Sequence, residues 1–176
     1  MPDESNDVSL LEFLDGSQIN CLNEAGDHTL KSILSAKQKN DSSSYLLSDA
    51  DEQLLLNIPF NQTVRVRSLV IQASDVERAP KRIKIFINKP SLGFEDVEDA
   101  EEPEASQIID LTEDQVKEGK RIPLRFVRFQ SVSSLHIFVV NNTSGSDETR
   151  IDAVDIFGQP VMGTRDLSGL KKTEDS

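Results

Sequence analysis

The chain has 176 residues, with 19 Lys and Arg against 31 Asp and Glu, a formal net charge of −12, and only one Cys, two His, one Tyr and no Trp. One cysteine excludes an intramolecular disulfide framework and a Cys-rich zinc site, and the acidity speaks against broad binding to nucleic acid or an anionic membrane, both of which need cationic surface. The length suits one domain able to bury its own core. No apolar run approaches the roughly 18 residues of a membrane span. The start, with Asp3, Glu4 and Asp7 and no base, lacks the basic-then-apolar order of a signal peptide. The expectation is a soluble acidic protein of a reducing compartment.

In chain order, residues 1–9 read as an acidic, flexible segment, and residues 10–162 as the folded domain. Asp27–Leu34 suits two helical turns. Gln53–Phe60 places Leu54, Leu56, Ile58 and Phe60 on one parity, the alternation of a half-buried strand. Val64–Ala73 begins with Val64 and Val66 inward and Arg65 and Arg67 outward, then slips to Leu69 and Ile71. A bulge, or burial on both faces, accounts for such a slip. Arg82–Asn88 turns Ile83, Ile85 and Ile87 inward and Arg82 and Lys84 outward. Residues 94–106, with seven acids in EDVEDAEEPE, read as a mobile acidic loop. Thr112 to Gln115 has capping-box spacing and opens one helical turn before Gly119. Arg121–Gln130 directs Ile122, Leu124 and Phe126 inward before slipping to Val127 and Phe129. Ser134–Val140 alternates on Leu135, Ile137 and Val139, and Arg150–Phe157 supplies a last strand. Residues 163–176 read as a flexible tail with too little apolar content to pack.

Six or more short strands with little helix and no strand–helix alternation define an all-β protein, an antiparallel β-sandwich or barrel. Charge is segregated within it. Residues 1–30 hold seven acids and no Lys or Arg, whereas residues 62–90 hold seven bases against two acids.

Little of this composition suits catalysis. His136 lies on a strand and His28 in an acidic turn, and neither has a neighbouring Cys or a GxSxG-type serine to activate. Each reads as a surface or satisfied structural histidine. Cys21 has no resolving partner two residues away and reads as a small buried hydrophobe. The acids of residues 95–104 lack the alternating ligands and central Gly of an EF-hand loop, and Asp49, Asp51 and Glu52 read first as a turn before a strand. No metal and no cofactor is expected. Sugar recognition favours aromatic platforms, and Tyr45 alone is a thin supply. Outward Arg65, Arg67, Arg82, Lys84, Arg125 and Arg128 offer a basic face, but one without the interleaved aromatics of a single-strand nucleic-acid site.

Several strings nonetheless agree, in order and spacing, with one family. Cys21-Leu22-Asn23-Glu24 is followed by Leu47 to Leu55 (LSDADEQLL), Asn57-Ile58-Pro59-Phe60, Lys84 to Asn88 (KIFIN), Val127-Arg128-Phe129-Gln130 and Phe157-Gly158. Over residues 10–162 the chain resembles the PITH domain, the proteasome-interacting thioredoxin domain. The resemblance implies a jelly-roll β-sandwich related to galactose-binding-like and Doc-type domains, and docking onto the regulatory particle of the 26S proteasome. In that family the redox chemistry belongs to an N-terminal thioredoxin domain with a Cys-x-x-Cys site. That domain is missing from this chain, so no reductase activity is expected.

The expected function is therefore a non-enzymatic protein-interaction module, monomeric, in cytoplasm and nucleus, that couples a thioredoxin domain to the proteasome. Its expected contacts are the loop residues Asp49, Asp51 and Glu52 and the basic residues Arg65, Arg67, Arg82 and Lys84. The alternative is a small-ligand or carbohydrate-binding β-sandwich module.

Overall fold

A computed structural model of the chain describes residues 7–41 and 43–161. Its organising element is β4 (Leu54–Gln72), a single strand of 19 residues spanning the two strands expected from the sequence. The even-numbered apolar set from Leu54 to Val66 holds it together, since Leu54, Leu56, Ile58, Val64 and Val66 are all fully buried. Around it lie β1 (Val8–Ser9), β2 (Asn20–Leu22), β3 (Leu46–Leu47), β5 (Arg82–Ile87), β6 (Gln107–Asp110), β7 (Ile122–Pro123), β8 (Val132–Val139), β9 (Arg150–Ile151) and β10 (Ala153–Pro160). Helices are short: α1 (Leu30–Leu34), α2 (Phe94–Val97) and α3 (Glu113–Glu118).

The main sheet runs β1-β10-β4-β8-β5-β6, with β2 and β7 also on β4, while β3 and β9 form a separate ribbon. Every pairing is antiparallel. The first half of β4 pairs with β8 and β2, and the second half with β10 and β7. The sheet thus curls around one core built from both halves, with Ile83 and Ile85, Leu135, Ile137 and Val139, and Val154 and Ile156 facing the β4 row. Each such side chain contributes roughly 1.5–3 kcal/mol by leaving water.

The parity slip after Val66 is a bulge. Phe157 pairs with Ser68 and Gly158 with Val66, so Arg67 is the extra residue. Leu124 N–H donates to the Arg67 carbonyl at 2.8 Å, so the bulge is closed from the β7 side. Gly158 sits opposite: a Cβ there would fall 1.8 Å from the Arg65 carbonyl oxygen. The expected capping box also forms. The Thr112 hydroxyl accepts from Gln115 N–H at 3.2 Å, the Gln115 side chain accepts from Thr112 N–H at 2.9 Å, and Gly119 ends α3 at φ 67°.

Three expectations need correction. Arg121–Gln130 is not a continuous strand: β7 gives way to a 3-10 turn at Phe126–Arg128, which leaves Phe126 half-buried and Val127 75% exposed while Phe129 is fully buried. Residues 94–106 are a packed segment rather than a mobile loop. Val97, Ala100 and Ala105 are buried with Leu55, Phe86 and Phe138 in a second cluster on the outer face of the sheet. In the acidic start, Val8 and Ser9 already pair with β10, and the Ser9 hydroxyl donates to Asp155 at 2.7 Å. Residues 1–6 and the tail 163–176 lie outside the described residues.

Candidate functional site

The acidic loop Asp49–Glu52 is built around Asn23. Held at φ 70°, a left-handed conformation Asn tolerates, Asn23 accepts from Ala50 N–H at 3.1 Å. Its amide donates to the Asp51 carboxylate at 2.9 Å and to the Gln53 carbonyl at 2.7 Å. The Thr149 hydroxyl donates to the Glu52 carbonyl at 2.6 Å. Asp49 and Asp51 are exposed on this fixed turn and Glu52 is half-buried. Sequence reading picked out the acids and missed their organiser, although Asn23 stands inside one of the family strings.

The basic residues divide. Lys84 does not point to solvent. It is 5% exposed, and its ammonium donates to the carbonyls of Val97, Glu98 and Ala100 at 3.4, 2.8 and 2.7 Å. It therefore anchors the acidic segment and leaves the expected contact set. Arg82 is exposed but forms a fork with Asp110 at 2.8 and 3.1 Å, so its charge is neutralised across β5 and β6. Arg65 and Arg67 belong to the other half of the sheet, on either side of Val66. Arg65 is exposed. Arg67 Nε lies 3.0 Å from the Asp7 carboxylate, and its guanidinium covers the Phe126 ring at 4.3 Å.

Their companions come from the 3-10 turn. Phe129 accepts from Val66 N–H at 2.9 Å, which fastens the turn beside Arg65 and Arg67. Arg125 and Arg128, both exposed, converge on Glu102. The Ile108 N–H first, and then the two guanidiniums, hold the Glu102 carboxyl below the usual carboxylate range. Four arginines and two acids leave this ridge net positive on an acidic protein, with Val127 exposed on the turn between Arg125 and Arg128. The one sequence sign of Val127 was its place outside the strand parity.

A second feature lies on the outer face of β2, β4, β8 and β5. Asn20 pairs with Asn57, Asn57 with His136, and His136 with Phe86, so four strands contribute to one transverse row. Lys89 N–H donates to His136 Nε2 at 3.3 Å, which makes Nε2 an acceptor and puts the ring proton on Nδ1. Nδ1 then donates to Asn57 Oδ1 at 2.7 Å, and the Asn57 amide donates to Asn20 Oδ1 at 2.9 Å. The Ser134 hydroxyl lies 2.9 Å from Nε2. Burial, and then the nearby Lys89 charge, lower the His136 pKa to about 4. His136 is thus a satisfied histidine, neutral at physiological pH, at the floor of a cleft of about 340 Å³.

Elsewhere, burial and then Glu24 push the Cys21 thiol well above its ordinary pKa, so the reactive thiolate is disfavoured. The Tyr45 ring is stacked on His28 at 4.1 Å and capped by Arg150 at 3.8 Å, so both its faces are taken. Among the described residues no group of three or more His, Cys, Asp or Glu is placed to hold a metal ion, and no helix is long and apolar enough to cross a membrane.

This curled antiparallel sheet with its packed acidic segment has relatives. The family model described as PITH domain matches residues 2–175, and the chain belongs to the PITH domain family. It is 41% identical over 171 residues to thioredoxin-like protein 1 of Schizosaccharomyces pombe, covering 95% of this chain and 56% of that protein. It is 33% identical over 154 residues to PITH domain-containing protein 1 of Danio rerio, covering 87% and 70% respectively. The chain therefore spans little more than half the length of the fission-yeast protein. In fold it is similar to the family 32 CBM from C. perfringens NanJ, solved in complex with galactose, at a TM-score of 0.61 and 9% identity over 86% of this chain and 98% of that one. The galactose-binding-like β-sandwich fold expected from the sequence is the fold observed.

Proposed function

We propose that the chain is a non-catalytic docking module for the regulatory particle of the 26S proteasome, and that it couples a thioredoxin domain to it. The observation that carries this reading is membership of the PITH domain family. The likeness to a thioredoxin-like protein that extends well beyond the matched region supports the coupling. Cytoplasm and nucleus, where proteasomes work, are the proposed locations, and the working unit is a monomer.

The surface best suited to docking is the ridge of Arg65, Arg67, Arg125 and Arg128 around Val127. An exposed apolar side chain on a net-positive ridge offers an anchor with a steering field, directed at an acidic partner surface holding an apolar pocket. The fixed acidic turn at Asp49 and Asp51 supplies a second, oppositely charged contact. A stable interface needs roughly 800 Å² per partner, more than the ridge alone provides. A carbohydrate-binding role is the weaker reading, because the one tyrosine has no free ring face to offer a sugar.

Capture by purified 26S proteasome tests the proposal. The wild-type domain should be enriched over a charge-matched control domain. Val127→Asp combined with Arg65→Glu should weaken capture about tenfold or more, while the melting temperature stays within a few degrees. Absence of wild-type enrichment would overturn the docking role. Enrichment unaffected by the double substitution would overturn the assignment of the ridge.

A further inference from the structure

The cleft above His136 is independent of the docking ridge and takes no part in it. Its volume of about 340 Å³ lies at the small end of the range for small-molecule sites. Its walls are apolar at Leu22, Pro59 and Leu92, and its floor is the Asn20–Asn57–His136 row. The direction of that row decides what the floor has left to offer. The Asn57 carbonyl takes the His136 proton, the Asn20 carbonyl takes an Asn57 proton, and His136 Nε2 takes the Lys89 N–H. Each of these three acceptors already takes an internal hydrogen bond. The second N–H of the Asn57 amide remains to be given, and Gln18 and Ser91 add donors at the rim.

Charge points the same way. Among the described residues Lys89 is the only ionised one lining the cleft and no carboxylate lines it, although the chain carries a net charge of −12. Lys89 is fixed beside the floor by its own backbone N–H, which donates to His136 Nε2 at 3.3 Å. An adjoining hollow shares Lys89, Ser91 and Leu92 with the cleft and carries Glu95, Asp96 and Glu104. These nearby acids disfavour a multiply charged anion such as phosphate or a dicarboxylate.

We infer that the cleft binds a monocarboxylate with a small apolar body, its carboxylate against the Lys89 ammonium and the Asn57 amide and its apolar part on Leu22, Pro59 and Leu92. A free carboxylic acid and the C-terminal carboxylate of a peptide share this chemistry, and the experiment separates them.

The test is a titration of the ¹⁵N-labelled chain followed by NMR. The probes are N-acetyl-L-leucine, its neutral amide, and a tripeptide ending in a free leucine carboxylate. The acid should move the Asn20 and Asn57 side-chain amide signals and the Lys89 backbone signal in a saturable way, with the amide about tenfold weaker. Lys89→Gln changes an exposed side chain whose backbone N–H alone serves the network. It should weaken the acid about fivefold or more while leaving the amide unchanged. Tighter binding of the tripeptide than of the free acid assigns the cleft to chain ends, and the reverse assigns it to free acids. Equal binding of acid and amide, shifts lying outside the cleft, or no shift at about 20 mM acid would each overturn the inference.

Discussion

At neutral pH His136 carries no charge, since its folded-state pKa of about 4 lies below the ordinary 6.5. The unfolded chain takes up a proton as pH falls through 6.5, while the folded chain does not until about 4. Stability is therefore complete above 6.5 and is lost progressively between 6.5 and 4, by on the order of 3 kcal/mol at most. Asp155 works in the opposite direction at the acid end. Burial raises its pKa above 3.8 despite hydrogen bonds from Ser9 and Ile156, so protonation relieves a cost there. Denaturant midpoints should fall from pH 7 to pH 5 in the wild type and be nearly level in His136→Gln. Parallel slopes for the two proteins would show that another group sets the dependence. Gly158 has a steric role of equal sharpness. An added methyl would meet backbone, which has no rotamer to yield, so Gly158→Ala should open the β10–β4 ladder and cost about 3 kcal/mol in urea unfolding.

Among the elements, the segment from α2 to β6 departs furthest from its sequence. Seven acids in ten residues dominate its composition, but Val97, Ala100 and Ala105 carry its packing, and small side chains leave little hydrophobic signal. The same cover explains the misreading of Lys84. Strand alternation correctly placed it on the face opposite Ile83 and Ile85. That face is not solvent, because β5 is buried on both sides. Alternation reveals which residues share a face and not what lies above it. Where the signal was local, the sequence was legible: the Thr112–Gln115 box and the Gly119 stop stand as read, and of the two explanations left open for the slip after Val66 the strand register supplies the bulge. Lys84→Met keeps much of the volume but leaves three carbonyls without their donor. It should lower stability by about 1–3 kcal/mol and speed hydrogen exchange across residues 94–106 more than in β4. Uniform exchange in both regions would show that Lys84 serves the whole fold and not this segment.

On the scale of the molecule, the net charge of −12 conceals two surfaces of opposite character. The basic face expected from strand residues exists in smaller form. Arg82 and Lys84 are withdrawn from it by Asp110 and by the carbonyls of the acidic segment, while Arg125 and Arg128 stay in it beside Arg65 and Arg67, carried by the 3-10 turn. Which of the six remain depends on which strands neighbour one another, and no local pattern encodes that. The polar cleft was invisible for a related reason. Asn20, Asn57 and His136 stand 37 and 79 residues apart along the chain and meet only through the registers of β2, β4 and β8.

The order of strands also bears on how the domain is made. The last strand, β10, lies between the first, β1, and the central β4. A chain emerging from the ribosome therefore holds a sheet with a gap in it until Ala153–Pro160 has cleared the exit tunnel. Closure of this fold waits for β10, and loss of the residues from 153 onward would remove the keystone rather than trim an end.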